Sequence, residues 1–138
     1  MKGESNPTDD RPVAYRVEFS GSPTYYPKSF EGTGFGVVFE DDGETGYIYA
    51  TNDKADKIFD ALHLYNSKNP NKLSSGDKFF IVWNPKVEKA GTFYHNKFQA
   101  IIDFKNRLGC CRTGFPPKFG TWLRSLHTWN DQMVKGLE

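Results

Sequence analysis

Cysteine is nearly absent from this chain of 138 residues: there are two, adjacent at Cys110 and Cys111. Neighbours of this kind rarely bond each other, because a trans peptide holds α-carbons about 3.8 Å apart and a disulfide prefers about 5.5 Å. A disulfide scaffold is thereby excluded, and a chain of this length can bury a core without one. Long apolar runs are lacking as well. None approaches the roughly 20 residues that span a bilayer, and residues 1–12 hold no apolar block of a secretory signal. Charge of one sign is lacking, with a net of +1, so the overall basic footprint of a nucleic-acid binder is missing. No Walker loop, GxGxxG, HExxH or GxSxG occurs. His63, His95 and His127 show no ligand spacing. These absences make a reducing compartment, the cytoplasm, the default, with no cofactor, no metal and no membrane partner expected.

Aromatic side chains, in contrast, are abundant at 16% of the residues, against a modest hydrophobic total of 37%. Phenylalanine and tyrosine therefore carry much of the packing, as in strand-rich folds. Charge is unevenly placed along the chain. Residues 1–60 hold 12 acidic and 6 basic side chains, and residues 61–138 hold 5 and 12. Such asymmetry marks a bipolar surface if the two halves stay apart in space and vanishes if they interleave.

Residues 1–12 are polar and read as a flexible leader, residues 13–136 as one globular domain, and residues 137–138 as a vector-derived tail set aside from the argument. Val13, Tyr15, Val17 and Phe19 alternate with polar or small residues, the pattern of a half-buried strand. Residues 24–30 are aromatic but contain Pro27, which suits an irregular or edge segment. Residues 35–40 and 46–51 flank an Asp42-Gly43 step, whose positive backbone φ makes a hairpin turn. Both faces of this hairpin are apolar, which places it centrally. Ala55, Ile58, Phe59, Leu62 and Tyr65 follow helical spacing behind Asp53 as N-cap, and predict a helix. Residues 67–76 are loop. Residues 78–83 form a strand, residues 92–95 and 98–104 a second hairpin around Asn96-Lys97, and residues 108–112 a last strand. Residues 113–117 are a rigid turn. Trp122, Leu126, Trp129 and Met133 predict a C-terminal helix, with Thr121 as its N-cap. The expected fold is α+β: a mostly antiparallel sheet, curved or partly barrelled, with two packed helices.

Four clusters carry the chemistry there is. The acidic tip Glu40, Asp41, Asp42 and Glu44 invites a cation, since hard metals want clustered oxygens. The spacing does not follow a calcium loop, however, and adjacent strand residues point to opposite faces. A solvated turn explains the cluster better, and its exposed charge at Asp41, Asp42 and Glu44 suits a basic protein partner. Cys110-Cys111-Arg112 has the residues of an activated thiol, with His95 or His127 as base. A buried cysteine acting as a small apolar side chain is the commoner outcome. Lys97, Lys105, Arg107, Arg112, Phe115, Lys118, Phe119, Trp122 and Arg124 mix basic and aromatic character as single-stranded nucleic-acid binders do, but no RNP-type motif accompanies them. Gly32 to Gly36 reads G-x-G-x-G and leads into a strand, so it offers no helix terminus to a phosphate.

Residues 39–50 (FEDDGETGYIYA), 58–66 (IFDALHLYN), 81–83 (IVW), 100–104 (AIIDF) and 111–117 (CRTGFPP) resemble a family of uncharacterised bacterial proteins, over roughly residues 35–117. The resemblance implies a bacterial origin and a compact domain. It carries over no catalytic residue. The doubled cysteine and the charged loop after residue 66 depart from the family pattern.

Three functions are consistent with these residues. The first is a non-enzymatic binding protein with a protein partner, of immunity or regulatory type, using Asp41, Asp42 and Glu44. The second is a small-molecule-binding protein or small hydrolase with a pocket built from Asp103, Cys111 and Arg112. The third, least supported, binds single-stranded nucleic acid. The sequence leaves the oligomeric state open.

Overall fold

The computed structural model describes residues 11–30, 32–86, 88–117, 121–122 and 126–138. The alternating and aromatic segments form nine strands: β1 (Val13–Glu18), β2 (Thr24–Phe30), β3 (Phe35–Asp41), β4 (Thr45–Asn52), β5 (Ile58–Asn66), β6 (Lys78–Asn84), β7 (Lys89–Tyr94), β8 (Lys97–Asp103) and β9 (Leu108–Cys111). They make two antiparallel sheets, one of five strands in the order β1-β6-β7-β8-β9 and one of four in the order β2-β3-β4-β5. The inner faces of the two sheets share one core. Phe39, Ile48, Leu62 and Leu64 of the four-stranded sheet belong to the same buried cluster as Phe79, Ile81, Trp83 and Ile102 of the five-stranded one. Phe30 stacks on Trp83 with centroids 4.1 Å apart, and Phe39 lies 4.5 Å from Phe79. Each such side chain, fully buried, contributes about 1.5–3 kcal/mol.

The architecture is thus nearly all β, which corrects the α+β expectation. The first predicted helix is strand β5. Asn52 holds a tight turn instead, its amide oxygen accepting from the N–H groups of Asp56 and Lys57. The chain then pairs with β4, with register shifts at Gly46/Tyr47 and Ala50/Thr51. Residues 60–65 are all buried. A strand covered on both faces shows no polar alternation, so its apolar positions fit a helical period by accident. The second predicted helix fails as well, although Leu123, Arg124 and Ser125 lie outside the described residues. Trp122 enters the main core, Leu126 is exposed and Met133 joins a second cluster. Among the described residues a helical turn is found only as a short 3-10 segment, η1 (Asp131–Val134). The backbone here bonds across to the sheet, with Cys111 N–H donating to His127 O at 3.1 Å.

Other expectations stand with small changes. β3 and β4 are the two inner strands of their sheet, and β2, with Pro27, is an edge. The second hairpin turns on His95 and Asn96, both at positive φ, one residue earlier than expected. The acidic half of the chain, residues 1–60, builds β2 to β4 and the start of β5, and the basic half builds the rest of β5 and β6 to β9, while β1 from the acidic half joins the other sheet.

Two features close the sandwich. Residues 129–137 run as a strap over the outer face of the five-stranded sheet, where Val82, Phe98, Ile101 and Cys110 pack with Met133 and Leu137. Leu137 is 3% exposed and is part of this layer, whereas the sequence alone gave no reason to include it. At the opposite edge β5 meets β9. A seam of hydrogen bonds joins them through the chain that follows β9: His63 N–H to Phe115 O at 2.9 Å and Thr121 N–H to Phe59 O at 3.2 Å. Within the seam His127 Nε2 lies 2.8 Å from Asp60 Oδ1, both side chains fully buried, and His127 Nδ1 contacts Pro116 O.

Candidate functional site

The outer face of the five-stranded sheet carries the candidate site. Phe80 and Val82 of β6, Phe93 of β7 and Phe98 of β8 point away from the main core, as strand alternation requires, and the strap supplies Val134 and Leu137. Together with Ala14 they line an open groove of about 660 Å³, within the size range of small-molecule sites. The Phe93 and Phe98 rings meet edge to face at 5.0 Å. Gly91 shapes the floor. A Cβ there would lie 2.8 Å from the Phe98 ring and 3.1 Å from Leu137 Cδ1, so only glycine lets the ring cross β7 and the strap dock over it.

The polar residues of the lining are Asn96, Lys97, Arg112 and Glu138. Arg112 is held in place. Its Nε donates to Phe98 O at 2.8 Å, and its guanidinium lies over the Trp129 ring at 3.7 Å. Only one of its five N–H donors is committed by that bond. The strap is fixed in turn by Asn84 Nδ2 donating to Gly136 O at 2.7 Å and by Lys89 Nζ donating to the carbonyls of Met133 and Lys135.

The residues singled out from sequence do not converge. Arg112 lines the groove. Cys111, its neighbour, faces the main core, with its Sγ 3.5 Å from Phe115 O. Asp103 ends β8 and accepts from Asn106 N–H at 3.0 Å, fixing the turn into β9. Burial pushes the Cys110 thiol up to about 11 and raises Cys111 as well. Neither has the electropositive, open surroundings of an activated nucleophile. We expect both thiols to stay unreactive toward Ellman's reagent in the native protein at neutral pH and to react together on unfolding. The same shifts predict a loss of stability in alkali. The unfolded thiols ionise first, so the folded state binds more protons, and stability falls as the pH rises from about 8.5 toward 11.

The acidic tip divides in two. Asp41 is 4% exposed and accepts from Ser22 Oγ and Tyr65 OH, each at 2.6 Å, and from Gly43 N–H at 2.8 Å. It is structural, which corrects its assignment to an exposed contact surface. Asp42 and Glu44 remain exposed. The N–H groups of Thr45 and Glu44 hold the Asp42 carboxyl below the usual range. Among the described residues no three His, Cys, Asp or Glu side chains converge as metal ligands would.

The basic and aromatic residues are dispersed. Arg112 and Lys97 face the groove, while Phe115 lies against His63 beside the other sheet. Lys118, Phe119 and Arg124 lie outside the described residues. No helix among the described residues is long and apolar enough to cross a membrane.

Comparison with known proteins agrees with the resemblance read from sequence. The profile of a family described as an uncharacterized protein conserved in bacteria (DUF2251) matches residues 19–138, a span that includes the strap. An uncharacterized protein of Haemophilus influenzae is 34% identical over 84 residues, 59% of this chain. The match spans about half, 52%, of that relative's length. No solved structure matches the chain.

Proposed function

We propose that this chain, which belongs to the bacterial family DUF2251, binds an amphipathic organic anion in the groove between its five-stranded sheet and its C-terminal strap. The observation that carries this reading is the pairing of an apolar groove with an oriented arginine. The walls from Phe80, Val82, Phe93, Phe98 and Leu137 suit a hydrocarbon or aryl body. Arg112, placed by Phe98 O and Trp129, presents the planar fork that recognises a carboxylate through two parallel hydrogen bonds. Lys97 adds a second positive charge to the lining, which holds one acidic residue, Glu138. The described lining contains no nucleophile and base side by side, so the reading is one of binding, not of catalysis.

The test is titration calorimetry with decanoate, together with Trp129 fluorescence, since the ring lies under Arg112. Saturable binding is expected. Arg112→Ala is expected to weaken it by about tenfold to a hundredfold, the worth of a charge-assisted hydrogen bond at about 1.5–3 kcal/mol. Arg112→Lys is expected to recover only part of the loss, because the ammonium lacks the fork. No heat and no fluorescence change with decanoate, or equal affinity in Arg112→Ala, overturns the assignment.

A further inference from the structure

A second cavity, of about 550 Å³, opens on the outer face of the four-stranded sheet, and its lining differs in kind. Tyr47 of β4 stands in register with His63 of β5. The Tyr47 ring meets the imidazole nearly edge to face at 5.3 Å, and Phe115 meets it from another direction at 5.7 Å and 85°. Two aromatic walls thus flank a histidine floor. The floor is immobilised: His63 Nδ1 lies 2.9 Å from Thr113 Oγ1 and Nε2 lies 2.8 Å from Asn66 Oδ1. Phe115 keeps 51% of its surface exposed, a large apolar ring left open beside polar groups.

None of those polar groups is a carboxylate, an ammonium or a guanidinium. Asn66 spends its carbonyl oxygen on His63, and Asn69 spends its own on the Asn66 N–H at 2.6 Å. Each thus keeps its NH₂ donor outside those bonds, and both residues line the cavity with the Tyr47 hydroxyl, which can donate or accept. Among the described residues no Asp, Glu, Lys or Arg lines the space. Such a lining favours a neutral ligand, in contrast to the groove on the other sheet with its arginine and lysine. Hydroxyl groups match the amides, and a flat C–H surface matches the open aromatic ring. A pyranose with equatorial hydroxyls presents both at once.

We infer that the cavity between Tyr47, His63 and Phe115 is a binding site for a neutral, glucose-configured saccharide. The site is separate from the anion groove and does not depend on it.

The experiment is a titration of the isotopically labelled protein with cellobiose, followed by amide NMR. We expect the signals of Tyr47, His63, Asn66, Asn69 and Thr113 to shift and to saturate in the millimolar range. Phe115→Ala, a change at an exposed side chain, is expected to weaken binding about tenfold, and Tyr47→Phe, which removes only a hydroxyl, by a few-fold. Arg112→Ala is expected to leave the titration unchanged. The inference is overturned if these signals do not move, if they move equally in Phe115→Ala, or if glycerol, which has hydroxyls and no ring, produces the same shifts at the same concentrations.

Discussion

Replacing His127 with alanine is expected to cost about 1–3 kcal/mol of folding stability, the usual cost of leaving a buried polar group without its hydrogen-bond partner. Asp60 is fully buried, and its Oδ1 receives the Ala61 N–H at 3.1 Å and faces His127 Nε2 at 2.8 Å. Its Oδ2 has no hydrogen-bond partner among the described residues. Without the imidazole Asp60 Oδ1 keeps only the Ala61 N–H, in a region closed to water. His127 also lies in the stretch that bonds back to β9 through Cys111 N–H, so the loss extends to the seam between the sheets. Urea unfolding monitored by tryptophan fluorescence measures the change. The double variant Asp60→Ala with His127→Ala is expected to lose clearly less than the sum of the two single changes, because removing both partners leaves no orphaned polar group. A cost for His127→Ala below about 1 kcal/mol would show that the pair does not hold the seam.

The second large effect is expected at Gly46, where the Tyr65 ring occupies the space that a Cβ would need. The ring cannot swing aside cheaply, because its hydroxyl donates to Asp41 Oδ2 at 2.6 Å in the interior. Burial and that bond both push the Tyr65 phenol well above its ordinary value, so it remains a donor. Gly46→Val must either overpack the site, at about 1–3 kcal/mol, or release the Tyr65–Asp41 bond, worth about 1.5–3 kcal/mol to a charged acceptor. A fall in the urea midpoint with an unchanged slope is the expected signature. An unaffected midpoint would mean that the ring relocates freely. Asp41→Asn in the same background separates the two terms.

How much of this was legible in the sequence varied with the local pattern. The hairpin from β3 to β4 was clear, because an Asp-Gly step between aromatic runs has few other uses. β2 was legible as an edge because a proline cannot sit in a central ladder. β5 was not legible. A strand buried on both faces lacks the alternation that identifies strands, and Ile58, Phe59, Leu62 and Tyr65 then satisfy a helical period. The C-terminal residues failed for a different reason. Trp122 packs in the main core, whereas Trp129 and Met133 belong to the layer over the outer face of the five-stranded sheet, so their spacing reflects two separate packing sites and no common helical face.

The groove was out of reach of sequence reasoning, because its lining is drawn from positions between Pro12 and Glu138. One of its residues, Arg112, was picked out, but in company that strand geometry separates. Cys111 and Arg112 are adjacent at the end of β9, and adjacent strand residues face opposite ways. That check was available from the sequence. The saccharide cavity left a fainter signal: Tyr47, His63 and Phe115 fall in the segments that carry the family resemblance, yet nothing in their spacing joins them.

The order of the strands has a consequence for how the chain reaches this state. β1 pairs with β6, so that Val13 lies opposite Trp83, and the whole four-stranded sheet is threaded between those partners. The Asp60–His127 contact spans 67 positions. The β1 edge of the five-stranded sheet therefore cannot be completed by local contacts, and the entropy of closing a long loop must be met before the core rewards it. The consecutive hairpins β3-β4 and β7-β8 are the pieces that can form early. The first strand and the last strap are then late arrivals, and the protein's two ends become the places where an incompletely folded chain exposes its apolar faces.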